Sequence, residues 1–373
     1  MNTRKISALL TSVLFGGILL SSCNKSSNSG STQNFTDVET LVISDFVGRT
    51  ALPQYSTLVD LGTNLNSNIT ILVSTPSDVN LTAAQDSWRS MRQSWERCEG
   101  FLIGPVESND YDPNSDTWPT DYKQMDSLLA SNNPLGVTDV QNLPQTLRGY
   151  HPIEYLIFGE GGTRKASELD ARKKLYLSSL SADLLNNNVK PLQTSWTTAS
   201  SSSSLSYSQA ILQAGPNNSV YSSRQAFFLD VCGDNGMAGI CNEVGQQNED
   251  GKMYNPYFSK DSSLAESPYS GNSLTDFKNN ILGAQQVYIG INGGKGISAL
   301  VAAKNKDLDN KIQAAFTSAV NSFDNISGTD NMRFELAIFK RPTQIVATMS
   351  QLNALQTLLE TDLLNFIKQY VKD

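Results

Sequence analysis

The sequence contains one histidine, His151, and this scarcity narrows its chemistry more than any other feature. Zinc sites in proteins draw on several His or Cys ligands, so a site built from multiple histidines is excluded. Charged residues make up only 17% of the chain, and acidic residues outnumber basic ones by 36 to 28. The resulting net charge of −8 is unfavourable for binding a phosphate backbone, so we expect no nucleic-acid partner. Acid–base or metal chemistry must therefore use His151 or carboxylates.

Long apolar runs are also missing, apart from one at the N-terminus. This run follows Arg4 and Lys5 and ends in the tetrapeptide Leu20–Cys23. About 15 apolar residues are too few for a stable membrane span, but they are typical of a secretory signal. The tetrapeptide resembles a bacterial lipobox, which implies cleavage before Cys23 and acylation of that cysteine. We therefore expect a lipoprotein signal peptide over residues 1–22.

The mature protein is expected at the bacterial cell envelope, with the membrane as a partner through its lipid anchor. Asn24 follows Cys23, so the aspartate that retains many lipoproteins in the inner membrane is missing. We therefore expect the outer membrane, facing the periplasm or the cell surface. Residues 23–35 are mostly Ser, Asn and Gly, which predicts a flexible tether.

Helical periodicity dominates the rest of the chain, and alternating, strand-like segments are scarce. Apolar residues recur at spacings of three and four from Leu81 to Leu102 and again over residues 308–323 and 345–370. The sequence therefore predicts an all-α protein built from helix bundles.

A Ser-rich stretch over residues 194–206 interrupts these helical patterns. Such a composition cannot bury a core and is typical of a linker or an exposed loop. It predicts two helical-bundle domains, one over residues 36–193 and the other over residues 207–373.

Three cysteines remain if Cys23 is acylated. An exported compartment permits disulfides, and Cys232 and Cys241 lie close in sequence across a segment containing Gly, Asn and Asp. A loop-closing disulfide between them is therefore a candidate. Cys98 lies in a helical pattern and is expected to be a buried free thiol.

The segment Gly149–Leu156 offers the clearest candidate chemistry. His151 stands three residues before Glu154, and in a helix this spacing places both on one face, able to hold one metal ion or share one proton. The structural alternative is that Pro152 occupies the first helical position, which would make His151 the N-cap and Glu154 a capping residue. On spacing alone, capping or core packing is the favoured interpretation.

Glu99 is a second unusual position, because it falls in the apolar stripe of a predicted helix beside Trp88 and Trp95. A buried carboxylate must be paired, protonated or bound to a cation. An ion pair with Arg92 or another internal arginine is the structural alternative to a functional site.

Three ordered blocks of the sequence carry a resemblance to a known family. The pattern Gly-x-His-x-x-Glu over Gly149–Glu154 resembles the signature of the imelysin family, and the blocks Trp95–Phe101 and Glu266–Ile281 resemble other segments of that family. The resemblance runs through most of the chain. It implies a two-bundle helical fold, an exported location and an association with iron acquisition, and the family is also classed as a metallopeptidase family.

Given this resemblance, we expect Glu99, His151 and Glu154 to face one cavity and to bind a metal or another small ligand. Asp276 is either a helix-capping residue or part of the second bundle's contribution to the same site. The residues expected to support the site are Gly149, Ser270, Asn272 and Asp276.

One histidine with several carboxylates suits iron, calcium or another hard cation better than zinc. The favoured function is an exported imelysin-like lipoprotein that binds a metal or small ligand between two bundles and is linked to iron uptake. Components of iron uptake are then its expected partners. The alternatives are an imelysin-type metallopeptidase and a non-catalytic structural or docking lipoprotein. The chain has no HExxH motif and no second histidine, so we expect no zinc endopeptidase activity.

Overall fold

The computed structural model describes residues 34–200 and 203–372, and every regular element in these ranges is helical. The all-α prediction is therefore confirmed. The predicted signal peptide, the lipidation site Cys23 and nearly all of the predicted tether lie outside the described residues. None of the described helices is both long and apolar enough to cross a membrane.

The α-helices of the described ranges vary from one turn to about six turns in length. They are α1 (Phe35–Asp45), α2 (Leu52–Ser74), α3 (Asp78–Cys98), α4 (Pro105–Ser108), α5 (Tyr111–Asp116), α6 (Tyr122–Ala130), α7 (Val137–Gln141), α8 (Tyr150–Phe158), α9 (Ala171–Asp183), α10 (Lys190–Thr197), α11 (Tyr207–Leu212), α12 (Arg224–Cys232), α13 (Met237–Gly245), α14 (Tyr254–Ser259), α15 (Ser273–Ile289), α16 (Ile297–Ala302), α17 (Lys306–Ser327), α18 (Phe334–Lys340), α19 (Pro342–Leu358) and α20 (Leu364–Tyr370). The π-helical segments Phe46–Ala51, Leu184–Val189 and Leu359–Leu363 join α1 to α2, α9 to α10 and α19 to α20, and the 3₁₀ turn Glu99–Phe101 follows α3.

Helix α3 forms for reasons that are visible in its sequence. The Ser77 side chain caps it by accepting a hydrogen bond from the backbone N–H of Asn80. Its apolar stripe is buried along the whole helix, as the periodicity predicts. The buried stripe consists of Leu81, Ala84, Trp88, Met91, Trp95 and Cys98. The other two predicted stripes coincide with α17 and with the continuous run from α19 to α20.

Helices α3 and α15 pack against each other and bring together two distant parts of the chain. Their approach is close because Gly100 and Gly283 have no side chains at the contact. A Cβ at Gly283 would lie 2.2 Å from the carbonyl oxygen of Arg97, and one at Gly100 would lie 2.4 Å from the backbone of Gly283. On its other sides α3 contacts α2 and α8, whereas α15 contacts α13 and α17.

The Ser-rich stretch joins α10 to α11, and helices from both sides of it contribute to one continuous buried core. Contacts between α3 and α15, and between α1 and α16, cross from one side to the other. The division into bundles over residues 36–193 and 207–373 stays a prediction, because packing reports contact and not independent folding.

The cysteine prediction needs a correction. Cys232 ends α12 and Cys241 lies in α13, and both are buried free thiols, so the predicted disulfide between them is wrong. Each side chain packs into the core, and the turn between the helices is already closed by backbone hydrogen bonds to the carbonyl oxygen of Gly233. Burial raises the pKa of both thiols, which keeps them unreactive. Cys98 is a buried free thiol, as predicted.

Candidate functional site

Helix α8 begins where Gly149 meets the end of α5. Gly149 has a φ of +77°, and a Cβ there would lie 1.9 Å from the carbonyl oxygen of Ser115. Only glycine tolerates both the left-handed backbone and this approach. The contact places His151, in the first turn of α8, beside Asp116, the last residue of α5.

The capping interpretation of His151 is wrong. The helix already starts at Tyr150, because Gly149 occupies the N-cap, so His151 and Pro152 both lie inside the first turn. The side chains of His151 and Glu154 are fully buried, and they lie on one face of α8, three residues apart.

The imidazole of His151 lies among three carboxylates. Its Nε2 is 3.1 Å from Asp116 Oδ1 and 3.8 Å from Glu266 Oε1, and its Nδ1 is 3.9 Å from Glu154 Oε2. Neither ring nitrogen makes a well-directed hydrogen bond to a described residue. Burial lowers the pKa of His151, but the acceptors Asp116 and Glu154 outweigh it and raise this pKa to about 9. Without a bound cation the ring therefore carries a proton, which it must release before a ring nitrogen can act as a metal ligand.

The buried guanidinium of Arg92 lies at the centre of the carboxylate network. Its Nη2 is 2.6 Å from Glu266 Oε1 and 2.5 Å from Glu96 Oε1, and its Nη1 bonds to Asp116 Oδ1. Its Nε lies 3.9 Å from Asp276 Oδ1. One side chain thus links α3, α5, α15 and the segment before α15. Burial raises the pKa of Glu96 to about 7 even though Arg92 opposes the change.

Glu99 joins this network through an indole. Trp95 Nε1 donates to Glu99 Oε1 at 2.8 Å and to Asp116 Oδ2 at 2.7 Å, so Glu99 and His151 both connect to Asp116. Asn280 Nδ2 donates to the other oxygen of Glu99 at 2.6 Å. The structural alternative for Glu99, an ion pair with an arginine, is not present among the described contacts, and the cation near its carboxylate is Lys252. Burial and the neighbouring carboxylates raise the pKa of Glu99.

The segment before α15 orients Glu154 from the opposite side. The backbone N–H and the hydroxyl of Ser270 both donate to Glu154 Oε1 at 2.7 Å, and this leaves Oε2 facing His151. Asn272 Nδ2 donates to Asp276 Oδ1 at 2.5 Å. Asp276 is fully buried in the first turn of α15, where its carboxylate faces Asn272 and Arg92, so it belongs to the network.

The network carries more negative than positive groups. Six carboxylates have side chains that are 3% exposed or less, namely Glu96, Glu99, Asp116, Glu154, Glu266 and Asp276. The cationic groups that contact them are Arg92, Lys252 and His151. Uncompensated charge is costly in a protein interior, so the excess must be balanced by protons or by a bound cation.

The donor atoms fit a divalent cation. Asp116, His151 and Glu266 each offer one ligand atom, and the three atoms lie within 4.8 Å of one another. Glu96, Glu99 and Asp116 form a second set with the same property. One imidazole with several carboxylates suits iron(II) or manganese(II), which prefer oxygen ligands more than zinc does.

Comparison with known proteins identifies the family. The family model described as Imelysin matches residues 51–361. The chain belongs to the imelysin family. A curated relative, iron-regulated protein A of Synechococcus elongatus, is 29% identical over 261 residues, which cover 70% of this chain and 67% of that protein.

Two solved structures resemble this imelysin chain. A crystal structure described as that of an iron-regulated protein A precursor from Parabacteroides distasonis has a TM-score of 0.78 and 25% identity, and the match covers 92% of this chain and 97% of the other. An imelysin-like protein from Psychrobacter arcticum has a TM-score of 0.68 at 13% identity, over 90% of this chain and 98% of the other, which shows a shared fold alone.

In this imelysin, a cavity of about 300 Å³ lies beside the network. Both Glu99 and Asp116 line it. Its polar lining is otherwise acidic except for Lys252 and Asn255, and the further acidic residues are Asp112, Glu243, Glu249 and Asp250. Burial and the nearby Asp116 raise the pKa of Asp112 to about 7. An approaching cation therefore meets negative charge before it reaches the network.

Five charged residues of the imelysin site are not among the site residues that the sequence predicted, namely Arg92, Glu96, Asp116, Lys252 and Glu266. The spacing of Arg92 and Glu96 on α3 could have indicated a buried ion pair. Residues four apart share a helix face, and the face that carries these two residues is buried. Glu266 opens the third family-like block. Asp116 and Lys252 lie in segments with no regular pattern, so only the folded structure brings them to the site.

Proposed function

We propose that this protein binds a divalent cation in the buried network around His151 and serves iron acquisition, with iron(II) as the cargo. The observation that carries the proposal is the excess of buried carboxylates over cationic groups around one imidazole. The ligand atoms of Asp116, His151 and Glu266 are close enough to share one ion. The name of the Synechococcus elongatus relative connects that protein with iron, which supports the choice of cargo.

The proposed place of action is the cell envelope, with the chain held to a membrane by a lipid on Cys23 and working beside components of iron uptake. The support for this placement is the short apolar run that ends in the lipobox-like tetrapeptide Leu20–Cys23. A tethered protein with an acidic cavity would raise the local concentration of cations near the membrane.

A binding role is favoured over peptide hydrolysis. Catalytic zinc needs three protein ligands, an open position for water and a nearby base. Here His151 is the one imidazole of the sequence. No histidine is left to act as a base once His151 is a ligand.

The test is iron(II) binding by the purified mature chain under anaerobic conditions, followed by calorimetry and by metal analysis after gel filtration. We expect one tight site per chain. Glu266→Gln and His151→Gln should each weaken binding by about 10-fold or more, because each removes a ligand.

The matched control is Glu160→Gln, an identical change at an exposed glutamate outside the network. This variant should bind as the wild type does. Circular dichroism and thermal unfolding establish that each variant is folded. A folded wild type that binds neither iron(II) nor manganese(II), or site variants that bind as well as the control, would contradict the proposal.

A further inference from the structure

Lys252 is a buried lysine in the short connection between α13 and α14. Its side chain is 9% exposed, although lysine is rarely buried in folded proteins. Its backbone N–H donates to the carbonyl oxygen of Glu243 at 3.0 Å, which anchors the connection to α13. The position of the ammonium is therefore set by the fold.

The ammonium of Lys252 lies between the carboxylates of the network and the cavity. Its Nζ is 3.4 Å from Glu266 Oε1 and 3.6 Å from Glu99 Oε2, and it is 3.0 Å from Glu243 Oε1. Glu99 and Glu266 each belong to one of the two sets of candidate ligands. The ammonium thus holds a position within reach of both sets.

This arrangement differs from that of Arg92. The guanidinium of Arg92 has no exposure and contacts carboxylates from several elements, so it is part of the core. Lys252 lines the cavity wall, beside Glu249 and Asp250, and has a flexible four-carbon stem. Its ammonium can move into the cavity by rotation of side-chain bonds, while the backbone stays in place.

We propose that Lys252 is a tethered cation that a divalent ion displaces from Glu99 and Glu266 when it binds. The inference rests on the proposed function and adds how the site selects its ion. A divalent ion interacts with the same carboxylates about twice as strongly as an ammonium does, whereas a monovalent ion offers no more charge than the group it must replace. Lys252 therefore excludes sodium and potassium and lowers the affinity for every divalent ion.

The first measurement is manganese(II) affinity by calorimetry, with manganese(II) as an air-stable probe. Lys252→Met should bind about 10-fold more tightly than the wild type, and 100 mM potassium should weaken binding to the variant more than to the wild type. Lys278→Met is the matched control, because Lys278 pairs with Asp324 on the surface, outside the network. The control should bind as the wild type does.

Removing any nearby positive charge would tighten cation binding, so the second measurement asks whether the ammonium of Lys252 actually moves when the ion binds. The folded wild-type chain is treated briefly with an acetylating reagent, with and without saturating manganese(II), and acetylation at each lysine is read by peptide mass spectrometry. Lys252 should be protected without the ion and become several-fold more reactive with it. Lys311, which is 63% exposed, should react equally in both samples.

These experiments distinguish failure of the displacement from failure of the proposed cation-binding function. If the wild type binds manganese(II) while Lys252 stays protected, or if Lys252→Met binds no more tightly, the displacement is overturned and the binding function stands. If neither chain binds manganese(II) or iron(II), the function fails and the displacement fails with it. Tight binding by Lys252→Met with none by the wild type would mean that Lys252 blocks the site permanently, and it would overturn the displacement.

Discussion

Gly283 of α15 lies against the backbone of Arg97 at the end of α3, where a Cβ would approach the arginine's carbonyl oxygen to 2.2 Å. Both helices carry residues of the site, so this contact sets the distance across which Asn280 reaches Glu99. No residue larger than glycine fits at position 283 unless α3 and α15 move apart.

The first prediction follows from this contact. Gly283→Ala should destabilise the protein by about 1–3 kcal/mol, because the added methyl group forces α15 away from α3. Cation affinity should fall together with stability. Gly48→Ala is the control, since a Cβ at Gly48 meets nothing within 4 Å, and it should unfold at or above the wild-type temperature. Equal unfolding temperatures for Gly283→Ala and Gly48→Ala would show that the contact between α15 and α3 has room for a methyl group.

The second prediction concerns the central guanidinium. Arg92→Met should cost about 3–5 kcal/mol at neutral pH, because it leaves Glu96, Asp116 and Glu266 buried without their cation. Saturating manganese(II) should raise the unfolding temperature of the variant more than that of the wild type, since the ion supplies the missing positive charge. A variant as stable as the wild type without any metal would contradict this account of Arg92.

The third prediction is a pH dependence located away from the site. Burial opposes ionisation of Asp309, but hydrogen bonds to its carboxylate from Lys306, Ser298, Gln313 and Tyr288 outweigh burial and lower its pKa. A carboxyl whose pKa is lower in the folded state adds stability above its unfolded pKa of about 3.9, and that stability is lost as the pH falls through the folded pKa.

Asp309→Asn should therefore lower the free energy of unfolding in urea by a constant amount from pH 7 to about pH 4.5, and the difference should narrow at lower pH. Asp307→Asn, at an exposed position on the same helix, provides the comparison. If the difference in unfolding free energy between the wild type and Asp309→Asn grew as the pH falls, the lowered pKa of Asp309 would be contradicted.

The fourth prediction tests the cysteine correction. Cys98, Cys232 and Cys241 should resist a thiol reagent in the folded protein, and all three should react once it is denatured without any reductant. Mass spectrometry of the labelled peptides identifies each residue. Two thiols that become reactive only after reduction would restore the disulfide between Cys232 and Cys241.

The sequence predicted the helices well because each buried stripe is a local property. The apolar positions of α3 repeat at the helical period, so its buried face follows from the residues alone, although the helix ends at Cys98 and not at Leu102 as the periodicity predicts. The three-residue spacing of His151 and Glu154 likewise predicts that they share one helix face, but spacing alone favoured capping, and their assignment to a site came from the family resemblance.

The rest of the site depends on contacts between distant segments. Glu266 lies in the connection before α15 and Asp116 ends the short helix α5, and nothing near them in the sequence indicates that they meet Arg92. The disulfide was mispredicted for a related reason. Closeness of Cys232 and Cys241 in sequence carries no information about whether their thiols point towards each other.

The network has one more consequence, for a chain cut at the Ser-rich stretch. Arg92, Glu96 and His151 precede the cut, whereas Lys252 and Glu266 follow it. Each fragment loses a counter-charge that the other supplies, Glu266 for Arg92 and Glu99 for Lys252, so each would be poorly soluble and would lack a complete site in isolation. Mixed together, the two fragments have complementary charges and matching helix faces at α3 and α15. The site would therefore be rebuilt by reassociation of the fragments and by neither fragment alone.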